Sequence, residues 1–234
     1  GSPAMHNYGF QELGIDAAYL AFDIKEDQVK DAISAVRTLN MQGLNVTMPC
    51  KTEAAKYMDE LSPAARLIGA VNTVVNRDGK LYGHITDGEG FVANLKDHGV
   101  SIGKKDIVIF GAGGAATAIL VQCALDGANS VTVINPRDDF FGRAEEMHKK
   151  LREETPDCDI TLIDLADEAA VKEAVSKTDI LINGTLLGMK PKEDTSVIRD
   201  TSLFRKDMVV ADVVYNPKET KLLREAKAAG CRTV

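Results

Sequence analysis

A lysine and a few short polar side chains, spaced where helices and strands begin and end, are the first residues here that could do chemistry. The segment Gly43-Leu-Asn-Val-Thr-Met-Pro-Cys-Lys51 predicts a short strand over Gly43–Met48, ended by Pro49, and then a helix over Cys50–Met58 with Lys51 in its first turn. Strand side chains alternate, so Asn45 and Thr47 point to one face as a pair of hydrogen-bonding groups. A lysine at a helix start feels the positive end of the helix dipole, which disfavours its own charge and suits it to proton transfer. Taken alone, Lys51 reads as an ordinary surface lysine, and the catalytic reading needs corroboration. Gly69-Ala-Val-Asn-Thr73 places Asn72 within a strand, where an amide costs stability unless it has a partner or a ligand. Asp87 opens a helix, where an aspartate also serves as a plain N-cap.

A second feature is Ile107-Val-Ile-Phe-Gly-Ala-Gly-Gly-Ala-Ala116, a buried strand running through glycines into a helix. Gly111 permits the tight turn, and Gly113 lets backbone approach a pyrophosphate. Ala116 stays small so that helix and sheet pack closely. With Ala112, Gly114 and Ala115, these residues offer free amides and a helix N-terminus to a diphosphate. The next strand ends in Asn135-Pro-Arg-Asp-Asp139, the place where dinucleotide-binding folds distinguish a ribose 2′-hydroxyl from a 2′-phosphate. Asp138 can accept from the hydroxyl and repels the phosphate, whereas the guanidinium of Arg137 suits phosphate. The balance favours NAD, with NADP tolerated.

The elements that must position these groups fall into two grammars. Before residue 100 the pattern is α/β but irregular. A strand is expected over Ala17–Ile24, and an amphipathic helix over Glu26–Leu39 with Val29, Ile33 and Val36 on one face. Val71–Asn76 and Lys80–Ile85 form a hairpin around Arg77-Asp78-Gly79, and a helix over Asp87–His98 is closed by Gly99. From Asp106 strands alternate with helices: strands at Ile107–Phe110, Ser130–Ile134, Ile160–Ile163, Ile180–Asn183 and Val209–Val213, and helices after the glycines and at Phe141–Glu154, Glu168–Ser176 and Lys218–Ala229. That alternation means parallel pairing with right-handed crossovers. The expectation is an α/β chain of two domains, 1–100 and 101–234, each with its own core, the second a Rossmann-type parallel-sheet dinucleotide-binding domain.

Composition removes other classes. Of 234 residues, 44% are hydrophobic and 27% charged, which is globular rather than disordered. No apolar run approaches the roughly 20 residues needed to span a bilayer, and the first residues do not read as a signal peptide. A formal charge of -7 argues against nucleic-acid binding. The four cysteines form no CxxC pair and read as reduced thiols of a cytoplasmic protein. The four histidines lack metal-ligand spacing, so no metal site is expected.

Taken together, the segments resemble the shikimate and quinate dehydrogenase family. The carriers are Ser2-Pro-Ala-Met-His-Asn7, Asn45-Val-Thr-Met-Pro-Cys-Lys51, Gly69-Ala-Val-Asn-Thr73, Thr86-Asp-Gly88, Gly111-Ala-Gly-Gly-Ala115, Asn183-Gly-Thr-Leu-Leu-Gly-Met189 and Tyr215-Asn-Pro217. They run through nearly the whole chain in the family's order. Asn135-Pro-Arg-Asp-Asp-Phe-Phe141 looks closer to the branch that accepts quinate and NAD than to the NADP-restricted branch, whose Asn-Arg-Thr pattern is absent.

The resemblance implies that the N-terminal domain is a substrate domain. It implies an NAD(P)-dependent oxidoreductase that reversibly oxidises shikimate or quinate to the 3-dehydro acid, in chorismate and aromatic amino-acid or quinate metabolism. Lys51 and Asp87 would be the catalytic pair. Ser2, Asn45, Thr47, Asn72 and Tyr215 would line the substrate pocket, and Thr185 and Val213 would sit at the nicotinamide end. The partner is then a small molecule, in a chain compatible with a homodimer. Two departures stand out. Ile85 occupies a position where the family usually has Asn or Asp. The family also has a strand and a serine before the segment matching Ser2, and a substrate-binding Gln with closing helices after Val234; without them, NAD binding with poor turnover is expected. The rival readings are another Rossmann oxidoreductase acting on an unrelated hydroxy acid, and a non-catalytic metabolite-sensing binding protein built on the same fold.

Overall fold

A computed structural model describes residues 1–234 as two β-sheets bridged by packed helices. The chain opens with helix α1 (Ser2–Glu12), runs extended to residue 25, and enters α2 (Val29–Thr38), which buries Val29, Ile33 and Val36 as their spacing predicts. Strand β1 (Gly43–Asn45), α3 (Lys51–Ala55), β2 (Glu60–Leu61), α4 (Pro63–Ile68), β3 (Thr73–Arg77), β4 (Lys80–His84) and α5 (Asp87–Asp97) follow. The first sheet has the order β1-β3-β4-β2, with β1, β3 and β4 antiparallel and β2 parallel to β4. The β3–β4 turn works because Asp78 and Gly79 take positive φ, 54° and 87°, as a tight hairpin requires.

The second sheet is parallel throughout. Its elements are β5 (Asp106–Phe110), α6 (Gly114–Leu125), β6 (Ser130–Asn135), α7 (Asp139–Glu154), β7 (Asp159–Asp164), α8 (Glu168–Lys177), β8 (Ile180–Asn183), β9 (Val209–Asp212), α9 (Lys221–Ala228) and β10 (Arg232–Thr233). The order β10-β9-β8-β5-β6-β7 reverses beside β5, so a crevice opens at the carboxyl ends of β5 and β8, where such folds take ligands. This is the α/β, Rossmann-type arrangement that the alternating pattern predicts. No helix is long and apolar enough to cross a membrane.

Several expectations are corrected. Ala17–Ile24 is extended but not a strand: its only backbone hydrogen bond is from Ala17 N to Ile15 O, so no ladder forms, and Leu20 and Phe22 are exposed. The segment is instead bracketed by one side chain, with Asn7 Nδ2 donating to Tyr19 O (2.9 Å) and Tyr19 N donating to Asn7 Oδ1 (2.7 Å). The strand read as Gly43–Met48 stops at Asn45; Val46 N still bonds Asn72 O, and the chain then turns, with Cys50 N bonding Thr47 O. Thr47 is therefore off the strand, and alternation does not pair it with Asn45. The helix read as Cys50–Met58 ends at Ala55, and Asn72 precedes β3 rather than lying within it. Four elements were not anticipated: α1, β2, α4 and β10. Helix α4 was nevertheless legible, since Ser62 caps it by accepting from Ala65 N, Pro63 starts it, and Gly69 (φ 72°) ends it.

One apolar cluster runs from Val29, Ile33 and Leu81 through Leu95 and Ile119 to Ile107 and Ile182, while a second, smaller one fills the other face of the parallel sheet under α8 and α9. Helices α4 and α5 pack on α6. Arg66 on α4 forks onto Glu154 of α7 with two 3.0 Å bonds, an exposed pair that water screens and that adds little to stability.

Within this core His148 of α7 is 7% exposed and its Nε2 has no hydrogen-bond partner. Burial, helped by the nearby charge of Arg152, pushes its pKa down to about 4. An unfolded histidine titrates near ~6.5, so between those values the unfolded chain binds a proton that the folded chain refuses. Stability is therefore intact above about pH 6.5 and falls toward pH 4, by roughly 3 kcal/mol in total and about 2 kcal/mol by pH 5. His148→Leu should flatten that part of the denaturant-measured stability profile. Parallel profiles for the two proteins between pH 7.5 and 5 would count against this origin.

Candidate active site

Pro49 halts β1's segment and α3 begins at Lys51, while Thr86 ends the β4 segment and α5 begins at Asp87. These two helix starts meet. Lys51 Nζ donates to Asp87 Oδ2 at 3.0 Å, with the lysine side chain 22% and the aspartate 43% exposed. One of three ammonium donors is thereby used, and the other two are open to a substrate oxygen. Gly88, the next residue, lies against α6: a Cβ there would stand 2.3 Å from Ala118 O. The pair thus sits where the first sheet's helix touches the helix that follows the glycine loop.

Beside it runs a polar network. Asn72 Oδ1 accepts from Thr73 Oγ1 (3.0 Å), Thr86 N (3.0 Å) and Thr86 Oγ1 (3.2 Å), which leaves its Nδ2 without a protein partner. Asn45 Nδ2 donates to Thr73 Oγ1 (3.2 Å), and Asn45 Oδ1 accepts from the Tyr19 hydroxyl (3.0 Å). Of the residues expected around a substrate, Asn45 and Asn72 are joined to one another and, through Thr86, to the backbone that presents Asp87. Ser2, at the first position of α1, and exposed Thr47 make no side-chain bond to this network, and Tyr215 is 88% exposed. Tyr19, Thr73 and Thr86 were missed. Tyr19 lay in a segment read as a strand, where nothing local marks its hydroxyl. Ile85 is buried in the core and adds no polar contact.

The glycine loop fits a dinucleotide. Gly111 (φ 101°) has no room for a Cβ, which would meet Thr185 Cγ2 at 2.9 Å and Gly184 O at 3.1 Å. Gly113 and Gly114 have open space before them, and α6 starts without a side-chain cap, so its first amides remain available as an anion cradle. Ala112 is buried and Ala115 exposed. Ala116 is buried against Gly184, where a Cβ would come within 2.7 Å of it, which supports the packing reason for a small residue there.

Across the crevice, Asn183 Oδ1 accepts from Thr185 N (3.1 Å) and Oγ1 (2.7 Å), and Asn183 Nδ2 donates to Asp212 Oδ1 (2.9 Å). Asp212 also accepts from Thr220 Oγ1 (2.6 Å) and Val214 N (2.9 Å), and burial pushes its carboxyl up despite those bonds. This buried knot holds the loop bearing Thr185 beside the turn after Val213, whose N donates to Asn183 O. Asp212 and Thr220 were not singled out from sequence. At the adenosine end Asn135 is buried and donates to Pro136 O and Asp138 Oδ1, so its side chain shapes the loop. Asp138 caps α7 by accepting from Phe140 N and Phe141 N on the same oxygen. Arg137 Nε donates to Asp164 Oδ2 at 2.8 Å. No cluster of three His, Cys, Asp or Glu side chains is arranged to hold a metal.

Comparison with known proteins agrees with this geometry. A family described as the shikimate dehydrogenase substrate binding domain matches residues 1–74. The shikimate dehydrogenase (NADP(+)) of Listeria monocytogenes serotype 4b (strain F2365) is 46% identical over 233 residues, covering 100% of this chain and 80% of that one. A crystal structure of shikimate 5-dehydrogenase from Listeria monocytogenes, in complex with shikimate and NAD, superposes with a TM-score of 0.96 at 45% identity, covering 100% of this chain and 80% of that one. Quinate dehydrogenase from Corynebacterium glutamicum, in complex with NAD, gives 0.85 at 30% identity, covering 99% and 81%. With near-complete coverage of the chain at this identity, and with the lysine–aspartate pair and glycine loop in place, this chain belongs to the shikimate dehydrogenase family.

Proposed function

We propose that the chain is an NAD(P)-dependent dehydrogenase that reversibly oxidises a ring hydroxyl of shikimate, or of quinate, to the 3-dehydro acid. The observation that carries this reading is the 3.0 Å Lys51–Asp87 pair, held beside the helix that follows the glycine loop. When bound, the nicotinamide supplies the hydride acceptor or donor. Lys51 takes the proton that leaves the hydroxyl oxygen as the carbonyl forms, and returns it in the reverse direction. Asp87 orients Lys51 Nζ and accepts from the same region of substrate. The free Nδ2 of Asn72 and the amide of Asn45 are placed to bind the substrate's polar groups, with Ser2, Thr47 and Tyr215 closing the pocket when it is occupied. Gly111, Ala112, Gly113, Gly114 and Ala115 hold the diphosphate. Asn135, Arg137 and Asp138 shape the adenosine end, and Thr185 and Val213 the nicotinamide end.

The proposal divides the chain at about residue 100 into a substrate part and a dinucleotide part, and places it in the cytoplasm. Four buried, unpaired cysteines support a reducing setting; burial pushes Cys123 up to about 12 and Cys158 to about 11, which makes both thiols inert. NAD is the favoured cofactor because Asp138 Oδ2 is free to accept from a ribose hydroxyl, with NADP also accepted. Mixing the protein with each acid and each dinucleotide should give substrate-dependent absorbance of reduced cofactor. Binding of shikimate or quinate with no turnover in any combination would favour the non-catalytic sensor.

A further inference from the structure

At the adenosine end, we infer that Asp164, from the strand next to the expected ribose-binding loop, sets the choice between a 2′-hydroxyl and a 2′-phosphate by occupying the guanidinium of Arg137. The inference rests on the dinucleotide reading of the glycine loop and adds a specificity residue to it. Strands β6 and β7 are parallel with Asn135 opposite Asp164, so the last residue of β7 lies beside the loop that leaves β6. Arg137 Nε donates to Asp164 Oδ2 at 2.8 Å, and its guanidinium lies 4.7 Å over the ring of Phe141. Asp164 Oδ1 accepts from Ala166 N at 2.9 Å, so the carboxylate is anchored from its own side. The aspartate is 24% exposed and the arginine 70%, so the better-anchored group dictates where the guanidinium rests.

The charge count at the loop follows from these contacts. Arg137 is the cation carried by the loop after β6, where the ribose is expected, and its charge is met by Asp164. Asp138 brings a second carboxylate, with Oδ1 taken by Asn135 Nδ2, Phe140 N and Phe141 N, and Oδ2 left to accept from a hydroxyl. A 2′-phosphate entering here meets two carboxylates and an arginine already bonded; a 2′-hydroxyl meets a free acceptor. Asp164 is a positioning residue, acting through Arg137 and not by contact with the nucleotide. Arg143, over Phe140 at 5.6 Å, has no carboxylate partner and is a distinct cation one helical turn away.

Asp164→Asn keeps an acceptor for Ala166 N and removes the charge that holds Arg137. Calorimetric titration of the full chain with NAD+ and with NADP+, without substrate, should show NADP+ affinity rising about tenfold while NAD+ affinity stays within about twofold. The gain should shrink between low and high salt, as an exposed ion pair does. It should vanish in Asp164→Asn combined with Arg137→Ala. An unchanged NADP+/NAD+ ratio would overturn the inference, and so would a gain that survives loss of Arg137, since removal of negative charge alone would then explain it. If the unaltered protein binds neither dinucleotide, the glycine-loop reading itself fails, which is a different result from a fixed ratio.

Discussion

Replacing Lys51 by alanine is expected to lower kcat by roughly 10² or more, the scale of a lost acid–base group, while dinucleotide affinity barely changes. The reason is positional. Lys51 Nζ is the one cation bonded to Asp87, and its two remaining donors are the groups available to a hydroxyl losing its proton. The glycine loop and the Asn183–Asp212 knot, which would hold the cofactor, are formed by other residues and remain intact in the variant. Steady-state turnover and a separate titration of dinucleotide would report the two quantities independently. Near-normal turnover of Lys51→Ala would return this residue to the status of a surface lysine, with the 3.0 Å pair as a structural ornament of the helix starts.

Gly88→Ala should do nearly as much damage from a residue that carries no functional group. A Cβ at position 88 would lie 2.3 Å from Ala118 O and 2.8 Å from Gln122 Cβ, so α5 and α6 must separate by about an ångström. Overpacking of that kind costs about 1–3 kcal/mol of stability. Asp87 is the preceding residue, and a misplacement of about 1 Å in a reacting constellation can cost ~10²-fold in rate. Gly90→Ala, on the same helix but with nothing within 4 Å of its Cβ, is the control. It should leave the rate unchanged and stabilise by roughly 0.5–1 kcal/mol, the ordinary helix-interior difference between alanine and glycine. Equal behaviour of the two variants in melting temperature and kcat would show that the α5–α6 contact does not set the site.

The regular half of this protein was readable because its local signals agree. In β5-α6-β6 the apolar run, the glycines and the helix that follows all specify one turn, and Gly111 is demanded by a backbone angle that other residues resist. The Asp78-Gly79 hairpin was legible for the same reason. Strands with a buried face on each side, such as β5 and β8, carry their assignment in composition alone. Lys51, Asp87, Asn45 and Asn72 could be nominated from their segments, and family resemblance supplied their roles.

Where sequence reading failed, the deciding partner was distant. The extended 17–24 segment has strand composition, yet no neighbouring backbone offers a ladder, and what it contributes is the Tyr19 hydroxyl on Asn45, 26 positions away. Asn135 and Asp138 were read as ligand contacts, but the structure also engages them in shaping and capping the α7 start, a competition between two uses of one side chain that spacing does not reveal. Lys51 and Asp87 are each unremarkable on their own helices. They become a pair because Gly88 lets α5 lie directly on α6, and because β1 and β4, which lead to α3 and α5, finish at the same end of the first sheet. Amino-acid order thus determined which elements form and which polar groups they carry. Contact between backbones that are remote in the chain decided which of those groups meet, because a 3 Å hydrogen bond depends on packing that no local propensity encodes.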